Sequence, residues 1–461
     1  MTRTLGFKLG AIALLILLLL IPLLMIDGLI DERQMARDSV QANIAQSSSY
    51  AQQVTGPLLV VPFRRTVREW KTHEKTGQRY LDEREQRGRL FFLPERFHLQ
   101  GDVDTQLLTR GIYQARLYKS DSRISGEFAV PAHFGIEEGL EDYQFETPFL
   151  AVGISDIRGI NNALKLELNG RSLDFQPGSG DPILASGVHV PLPHLASGEA
   201  QTLNYGFTLN LQGTESLHIT PVGRDSQVEL KSPWPHPSFV GEFLPAEREV
   251  REDGFTARWQ TSFFATDLQQ ALADCAYEDR CQAFNSRVFG VSFVDPVDQY
   301  LKSDRAIKYA LLFICLTFAG FFLVEVLKRI NVHPVQYGLV GLALAFFYLL
   351  LLSLSEHLAF GLAYALSASA CVLLVGIYVS SVLHSWVRGG GFTAGLAALY
   401  GMLYGLLSAE DYALLMGSLL VFGLLACVMV LTRKLDWYAV GRPAAPFQAQ
   451  AQAPAQAPAQ A

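Results

Sequence analysis

Hydrophobic residues are concentrated in two parts of the chain, in runs long enough for membrane-spanning helices. The first run, Leu9 to Ile26, contains no charged residue. The second part, Ala306 to Leu431, is apolar apart from short polar breaks. Each run between breaks has about 20 residues, the length of a helix that crosses the hydrocarbon core of a bilayer. The pattern predicts one N-terminal and five C-terminal transmembrane helices, at residues 9–26, 306–327, 335–354, 358–383, 392–407 and 412–431.

The polar breaks between these helices alternate in sign, and Glu356 and Glu410-Asp411 mark the acidic ones. Lys and Arg are retained on the cytoplasmic side of a membrane. The basic positions near helix ends are Arg3, Lys8, Lys328, Arg329, Arg388, Arg433 and Lys434. The alternation predicts that residues 1–8 and 432–461 are cytoplasmic, with a low-complexity tail from residue 444. Residues 27–304 then form one large domain on the opposite side of the membrane.

The first apolar run is predicted to be an uncleaved anchor rather than a signal peptide. It is longer than a typical signal core, and Asp27–Arg33 offers no small-x-small cleavage site. The following segment, Glu32 to Ser48, is polar but compatible with a helix. We expect it to continue the first helix beyond the membrane.

The region after the anchor has a different pattern, with short apolar runs separated by Gly, Pro, Asn and Asp. Leu203–Leu211 alternates apolar and polar residues, which is typical of a half-buried strand. Tyr113–Tyr118 and Arg123–Val130 are predicted as two further strands, and Asn169-Gly170 as a hairpin turn. The charged run Arg64–Arg89 is predicted to be a solvated hairpin. Together these features predict an all-β-rich, sandwich-like domain inserted between helices one and two.

Composition agrees with a membrane protein and excludes few functions beyond nucleic-acid binding. Half of the 461 residues are hydrophobic, mean hydropathy is +0.20, and the net charge is −7 without a long basic patch. The sequence has no Walker A loop, no H-E-x-x-H and no G-x-S-x-G. Its histidines lack zinc-ligand spacing. We therefore expect no enzyme activity, no catalytic or metal site and no cofactor.

Two cysteines of the central region, Cys275 and Cys281, have the spacing C-x5-C. If this region lies outside the cytoplasm, they form a candidate disulfide that closes a short loop. The alternative is a pair of reduced thiols. The other three cysteines, Cys315, Cys371 and Cys427, lie in apolar runs.

The segment Pro233–Phe239 contains three alternating prolines, which impose an extended path. One interpretation is a rigid loop that presents Trp234, His236 and Phe239 to a partner. The other, which we favour, is a structural connector between sheets.

The membrane block is predicted to be an anchor rather than an ion-coupled carrier. Ionisable residues at membrane depth mark transport paths. Glu325 is the one acid within an apolar run, and it lies one turn before the basic Lys328-Arg329, where it can pair. The glycine pairs Gly391/Gly395 and Gly401/Gly405 are expected to allow close packing between helices of the same chain.

Several longer motifs carry a resemblance to a known family. They include Val54-x-Gly56-Pro57-Leu58, Gly187-Val188-His189-Val190-Pro191, Trp234-Pro235-His236-Pro237-Ser238-Phe239, Asp304-Arg305-Ala306-x-Lys308-Tyr309-Ala310, Tyr348–His357 and Asp436-Trp437-Tyr438. With the layout of one anchor, a large outer domain and five helices, the chain resembles the inner membrane protein CreD family of Gram-negative bacteria. The resemblance extends from the anchor to about Tyr438.

The resemblance implies a multi-pass inner-membrane protein with a periplasmic domain, linked to envelope integrity and the envelope stress response. It implies no reaction and no catalytic residues. The leading hypothesis is a non-enzymatic protein whose periplasmic domain binds an unknown periplasmic or cell-wall partner, with the lipid bilayer as its other partner. The alternative is a permease or lipid-handling protein that uses the five C-terminal helices.

Overall fold

The chain folds into two compact units. The computed structural model describes residues 2–73, 78–193, 195, 198–278, 280–293, 295, 299–328, 332–408 and 413–433. A helical unit combines Met1–Met35 with Asp298–Ala461, and a β unit comprises Ala36–Val297. The β unit therefore lies, in chain order, between the first and second hydrophobic blocks, as the sequence pattern predicted.

Helices dominate both termini and are short within the β unit. In chain order they are α1 (Thr2–Ser47), α2 (Phe263–Thr266), α3 (Leu268–Glu278), α4 (Gln282–Ser286), α5 (Gln299–Lys308), α6 (Ala310–Lys328), α7 (Pro334–Ser355), α8 (Phe360–Val382), α9 (Trp386–Ser408) and α10 (Ala413–Thr432). The first helix continues well past its apolar part, as its helix-compatible polar sequence predicted. Val40 and Ile44 of this extension pack against Ala115 and Leu117.

Within the described residues, four helices are long and apolar enough to cross a membrane, namely α1, α7, α8 and α9. Helices α5 and α6 meet at an angle of 45° and add a fifth span if the pair crosses as one. The helix α10 lies where the sixth span was predicted. The count of six spans remains a prediction.

Two predicted helix boundaries differ from the structure. A helix of polar character, α5, precedes the span predicted to start at residue 306. Helix α9 begins at Trp386, before the predicted start at 392, and includes the glycines between them. Gly389 allows α9 to pack closely against α8, since a Cβ there would overlap the Ser380 side chain of α8.

The β unit contains two sheets. Its strands are β1 (Gln52–Thr72), β2 (Arg79–Phe92), β3 (Arg96–Arg110), β4 (Tyr113–Val130), β5 (Tyr143–Phe145), β6 (Phe149–Ile154), β7 (Lys165–Leu168), β8 (Arg171–Asp174), β9 (Gln176–Pro177), β10 (Gly187–Pro191), β11 (Gln201–Thr214), β12 (Ser216–Thr220), β13 (Asp225–Ser232), β14 (Ser238–Gly241), β15 (Glu247–Arg251), β16 (Gly254–Ser262) and β17 (Phe289–Ser292). The first sheet has the order β14-β17-β12-β1-β6-β10-β9, with β2 and β5 also paired to β1. The second has the order β15-β16-β13-β3-β4-β11-β7-β8.

Side chains from both sheets form one hydrophobic core, as a sandwich-like domain requires. Strand β1 contributes Leu58–Val61, all fully buried. Trp259 of the second sheet stacks on Phe289 of the first with ring centroids 5.1 Å apart. Most strands of the second sheet alternate buried and exposed residues, so one face meets the core and the other meets solvent.

The charged run Arg64–Arg89 forms the predicted hairpin. Strands β1 and β2 pair from Leu59 opposite Phe92 to Thr72 opposite Arg79. Cross-strand ion pairs, such as Arg68 with Glu83 at 3.1 Å, follow the ladder. Such exposed pairs contribute little stability individually.

Asn169 and Gly170 also form the predicted turn, between β7 and β8. Both residues have positive φ, 47° and 79°. A tight two-residue hairpin turn requires this conformation, which Asn and Gly adopt most readily. The Asn-Gly pair therefore predicted this turn correctly.

The two strands predicted at 113–118 and 123–130 are one continuous strand, β4. The polar residues between them suggested a loop. In the structure Ser120 and Ser122 are buried, and their hydroxyl oxygens lie 2.6 Å apart in a hydrogen bond. Mutual hydrogen bonding satisfies these polar groups, so the strand continues through a run without apolar residues.

Candidate functional site

The proline-rich segment places Trp234 in a buried position. The indole ring is 8% exposed, and its N–H donates a hydrogen bond to the carbonyl oxygen of His236 at 2.9 Å. The guanidinium of Arg116 lies 3.7 Å from the ring centroid and pairs with Asp295 at 3.0 Å. Trp234 is thus held by a hydrogen bond at its ring edge and by a cation over one ring face, within the β unit.

Phe239 packs between the two sheets. Its ring centroid lies 5.8 Å from those of Phe255 and Trp259, both in edge-to-face geometry. Only His236 of the three candidate residues is exposed. The three side chains do not form a common binding surface, so the segment is better described as a connector between sheets. Partner binding by His236 itself stays a prediction.

The structure contains a disulfide between Cys275 and Cys281, which joins α3 to the residue before α4. This bond lies beside an open cleft of about 840 Å³. We name it the disulfide cleft. Its lining residues are Pro62, Phe63, Gln86, Arg87, Gly88, Arg89, Phe91, Glu146, Pro182, Ile183, Cys275, Ala276, Tyr277, Glu278 and Cys281.

Polar contacts fix the walls of the disulfide cleft. The Tyr277 hydroxyl donates to the Arg89 carbonyl oxygen at 3.1 Å, and the Arg89 guanidinium lies 3.2 Å from the buried carboxylate of Asp181. The hydrogen bond from Arg64 to Glu146, 2.7 Å long, holds the pKa of that carboxyl below its usual value. The lining combines the charged side chains of Arg87, Arg89, Glu146 and Glu278 with apolar ones.

A second cleft, of about 500 Å³, lies on the polar face of the second sheet. We name it the sheet cleft. It is lined by His98, Leu99, Gln100, Arg123, Ser125, Gln227, Val228, Glu229, Ala246, Glu247, Arg258, Trp259 and Gln260. Arg258 pairs with Glu229 at 2.8 Å and with Glu247 at 3.3 Å. The Lys231 ammonium, together with Arg258, holds the pKa of the Glu229 carboxyl below its usual value.

In the helical unit, Glu325 is buried and carries three contacts that the sequence did not predict. Lys8 of α1 donates to its Oε1, as does the backbone N–H of Val332 at 3.2 Å. The Tyr337 hydroxyl donates to its Oε2 at 2.8 Å. The sequence placed Glu325 near Lys328-Arg329, whose side chains lie outside the described residues; among the described residues the cation that contacts Glu325 is Lys8, directly before the first apolar run.

A second ion pair joins α1 to the rest of the helical unit. Arg33 lies 3.4 Å from Glu356, the acidic residue that follows α7. Lys8 and Arg33 are 25 positions apart, so at 1.5 Å per residue they are separated by about 37 Å along the helix. This distance exceeds the hydrocarbon thickness of about 30 Å. The two pairs therefore suit opposite ends of a membrane span.

The glycines of α9 do not make the close contacts expected from their spacing. Among the described residues, none lies within 4 Å of a Cβ built at Gly391, Gly395 or Gly401. The prediction that these three positions pack against helices of the same chain is therefore wrong for the described part of the unit. Close packing uses Gly341 and Gly376 instead, where Leu19 and Thr393 approach.

Comparison with known proteins identifies the family. The family model described as inner membrane protein CreD matches residues 4–438. The chain belongs to the CreD family. The CreD protein of Escherichia coli (strain K12), described as an inner membrane protein, is 40% identical over 431 residues, which cover 93% of this chain and 92% of that protein. This chain is accordingly a multi-pass protein of the inner membrane.

The CreD family assignment rests on sequence, because the solved structures that resemble this chain do so weakly. An M1 zinc metallopeptidase from Deinococcus radiodurans matches with a TM-score of 0.20 and 11% identity, over 37% of this chain and 39% of its own. A leukotriene A4 hydrolase from Saccharomyces cerevisiae matches with a TM-score of 0.19 and 11% identity, over 36% and 26%. Scores this low indicate neither a shared fold nor a shared activity.

Within the described residues, no group of three or more His, Cys, Asp or Glu side chains is placed to hold a metal ion.

Proposed function

We propose that this CreD-family protein maintains the cell envelope without catalysing a reaction, by binding an envelope partner through its β unit on the periplasmic side. The role would contribute to envelope integrity and the envelope stress response. The observation that carries the proposal is the β unit itself. It combines a disulfide, which is typical of oxidising compartments, with two open clefts whose lining groups are suited to binding.

The distribution of basic residues supports the periplasmic side for the β unit. Arg3 and Lys8 precede the first apolar run, and Lys328-Arg329 follow the second. Retention of these residues in the cytoplasm leaves Ala36–Val297 on the other side.

The side of the membrane is tested by labelling with a membrane-impermeant maleimide. His236→Cys introduces an exposed thiol into the β unit, and Arg433→Cys introduces one after the last helix. In intact spheroplasts we expect labelling of the first variant above the level of the unsubstituted chain. The second variant should be labelled only after the membrane is permeabilised. The reverse pattern would contradict the proposed orientation.

Partner binding is tested in cells with a photo-reactive amino acid introduced at single positions of the full chain. Positions Arg87 and Gln227 report on the two clefts, and Arg171, an exposed residue of β8, serves as the control. We expect a discrete crosslinked product with an envelope component from at least one cleft position and none from the control. Crosslinking only to neighbouring lipid, at all positions alike, would argue against a specific partner.

The non-enzymatic role is tested by complementation of a strain that lacks this chain. His236→Ala should restore tolerance to envelope-active agents as well as the native chain does, since no catalytic role is proposed for it. His189 bonds the Gly178 carbonyl oxygen through Nδ1 at 2.7 Å, which is a structural contact. We therefore expect any effect of His189→Ala to arise from the fold rather than from catalysis. Loss of tolerance with a normally folded His236→Ala protein would show that His236 has a functional role, in catalysis or in binding a partner.

A further inference from the structure

The sheet cleft contains an ordered array of polar side chains. Residues directly opposite each other in neighbouring strands point to the same face of a sheet. The register aligns Gln260, Gln227, His98 and Ser125 in one row across β16, β13, β3 and β4. Arg258, Glu229, Gln100 and Arg123 form the adjacent row.

Six members of this array have hydrogen-bonding capacity that the described part of the protein does not use. The side chains of His98, Gln100, Arg123, Ser125, Gln227 and Gln260 form no hydrogen bond or ion pair with another described residue. The charged neighbours Glu229, Glu247 and Arg258 do use this capacity, because Arg258 is paired with both glutamates. The cleft therefore offers donors and acceptors together, on strands that hold them in fixed positions.

Charge restricts the kind of ligand that this array fits. The lining contains Arg123 and Arg258, balanced by Glu229 and Glu247, so the formal charges cancel when His98 is neutral. Nucleic acids and anionic lipids favour a net positive surface. A neutral ligand rich in hydroxyl groups suits an array of amides, a hydroxyl and an imidazole, because each of its groups both donates and accepts.

The size of the cleft agrees with a small bound ligand, whereas its floor offers no exposed aromatic ring. Trp259 lies beneath the cleft, but its ring is buried and its N–H donates to the Phe243 carbonyl oxygen at 3.1 Å. A ligand would accordingly be held by hydrogen bonds rather than by stacking on this ring. The volume of about 500 Å³ lies within the range of small-ligand sites, about 300–1,000 Å³.

We propose that the sheet cleft binds a neutral glycan, a chain of uncharged sugar residues whose hydroxyl and amide groups pair with the array. This inference rests on the proposed function, because it names the chemical class of the envelope partner. Gln100 and Gln227 are the central recognition residues, since each has array members on both sides in the register.

The test measures binding of two uncharged probes to the full chain in lipid nanodiscs, which avoids sugar-based detergents. The probes are the hexamer of β-1,4-linked N-acetylglucosamine and maltohexaose. Their binding is measured by saturation-transfer NMR and by calorimetry. We expect saturable binding of at least one probe. Because one hydrogen bond contributes about 0.5–1.5 kcal/mol, each lost contact should weaken binding about two- to tenfold.

The decisive variant is Gln100→Ala/Gln227→Ala, for which we expect binding at least fivefold weaker than in the native chain. Gln106→Ala is the matched control, because Gln106 is an exposed glutamine of the same strand β3 outside the cleft. Both variants should unfold at the temperature of the native chain. Equal binding by the double variant and the control would overturn the assignment of the site.

Salt dependence separates a neutral ligand from a charged one. Glycan binding should change little between low and high salt, whereas binding of an anionic ligand should weaken steeply. Binding of phosphatidylglycerol vesicles at this cleft, without binding of either sugar probe, would overturn the proposal. If neither probe binds but a cleft position captures an envelope protein in cells, the glycan inference fails and the proposed function stands. If the β unit is cytoplasmic, the proposed function itself fails.

Discussion

At the scale of single residues, the structure separates side chains that hold the fold from those available for binding. Trp234 and Phe239 look suitable for binding in the sequence because aromatic residues in a proline-rich segment are often exposed. Their contacts with Arg116 and Trp259 show that they stabilise the β unit. The available residues are less conspicuous polar ones such as Gln100 and Gln227, which no sequence motif marks.

The buried ion pair of the helical unit should be important for its stability. Removal of one partner, as in Glu325→Ala, leaves Lys8 partly buried without its counter-ion. We expect a loss of about 1–3 kcal/mol, below the range for fully buried pairs because Lys8 retains some exposure. The measurement is thermal unfolding of the purified full chain in nanodiscs.

A double substitution is the control for this ion pair. Lys8→Met/Glu325→Met removes both charges and should be more stable than Glu325→Ala. If Glu325→Ala unfolds at the native temperature, the ion pair does not stabilise the unit.

His218 should make the β unit sensitive to mild acid. Burial lowers the pKa of its imidazole, and Nε2 contacts the Ser216 hydroxyl at 3.1 Å. Below the ordinary histidine pKa of about 6.5, the unfolded chain binds more protons than the folded chain. The contribution to stability is therefore complete above that pH and is lost as the pH falls toward the lowered value.

The measurement compares unfolding midpoints at pH 7.5 and pH 5 for the native chain and His218→Asn. The native chain should lose more stability between the two conditions than the variant does. His236→Asn is the control, since His236 is exposed. An equal loss in all three proteins would show that His218 does not contribute to the pH dependence.

At the scale of elements, the sequence predicted helices, hairpins and turns formed by neighbouring residues. It did not predict the pairing of strands that are distant in the chain. The apolar runs, the charged hairpin Arg64–Arg89 and the Asn169-Gly170 turn follow from the residues within them. The parallel pairing of β1 with β12 and of β3 with β13 joins distant segments and has no local signal. The polar array of the sheet cleft depends on the second of these pairings, so the candidate site was not predictable.

The C-terminal end of α1 is held by side chains of the β unit. Arg158 donates to the Gln46 carbonyl oxygen at 2.6 Å, in the last turn of the helix, and pairs with Asp156 at 2.6 Å. Asp156 in turn accepts a hydrogen bond from the Tyr50 backbone N–H at 3.2 Å. A cation at this position is favourable because unpaired carbonyl groups give the helix end a partial negative charge.

Replacement of this cation should loosen the last turns of α1. For Arg158→Met we expect faster amide hydrogen exchange in residues 41–47, with a local loss of about 0.5–1.5 kcal/mol. Arg171→Met is the matched control because Arg171 is exposed at the start of β8. Unchanged exchange in Arg158→Met would contradict a capping role.

At the scale of the whole molecule, the helical unit and the β unit combine different solvent requirements in one chain. Apolar α1, α7, α8 and α9 suit a bilayer, whereas the second sheet exposes a polar face. Predicting this division from sequence was straightforward because membrane helices and alternating strands have very different periodicity. The disulfide is the covalent feature that reports in which compartment the β unit folds.

Alkylation of the protein taken from cells tests the disulfide. After free thiols are blocked, reduction should release two further thiols in the native chain and none in Cys275→Ser/Cys281→Ser. The double variant should lose about 2 kcal/mol or less of stability, because the loop between the cysteines is short. Release of no thiols from the native chain would indicate that the pair is reduced in cells.

The pairing of β1 with β12 has a consequence for how the protein is made. Thr55 and Thr220 bond each other in adjacent strands although they are 165 positions apart in the chain. At about 10 residues per second, β1 waits roughly 15–20 s during synthesis before its parallel neighbour emerges. During that interval Gln52–Thr55, the part of β1 that pairs with β12, lacks its parallel neighbour, whereas Leu58–Val61 pairs with β2 and β6, which are made earlier. The nascent domain is therefore a natural client for chaperones that shield unpaired strands.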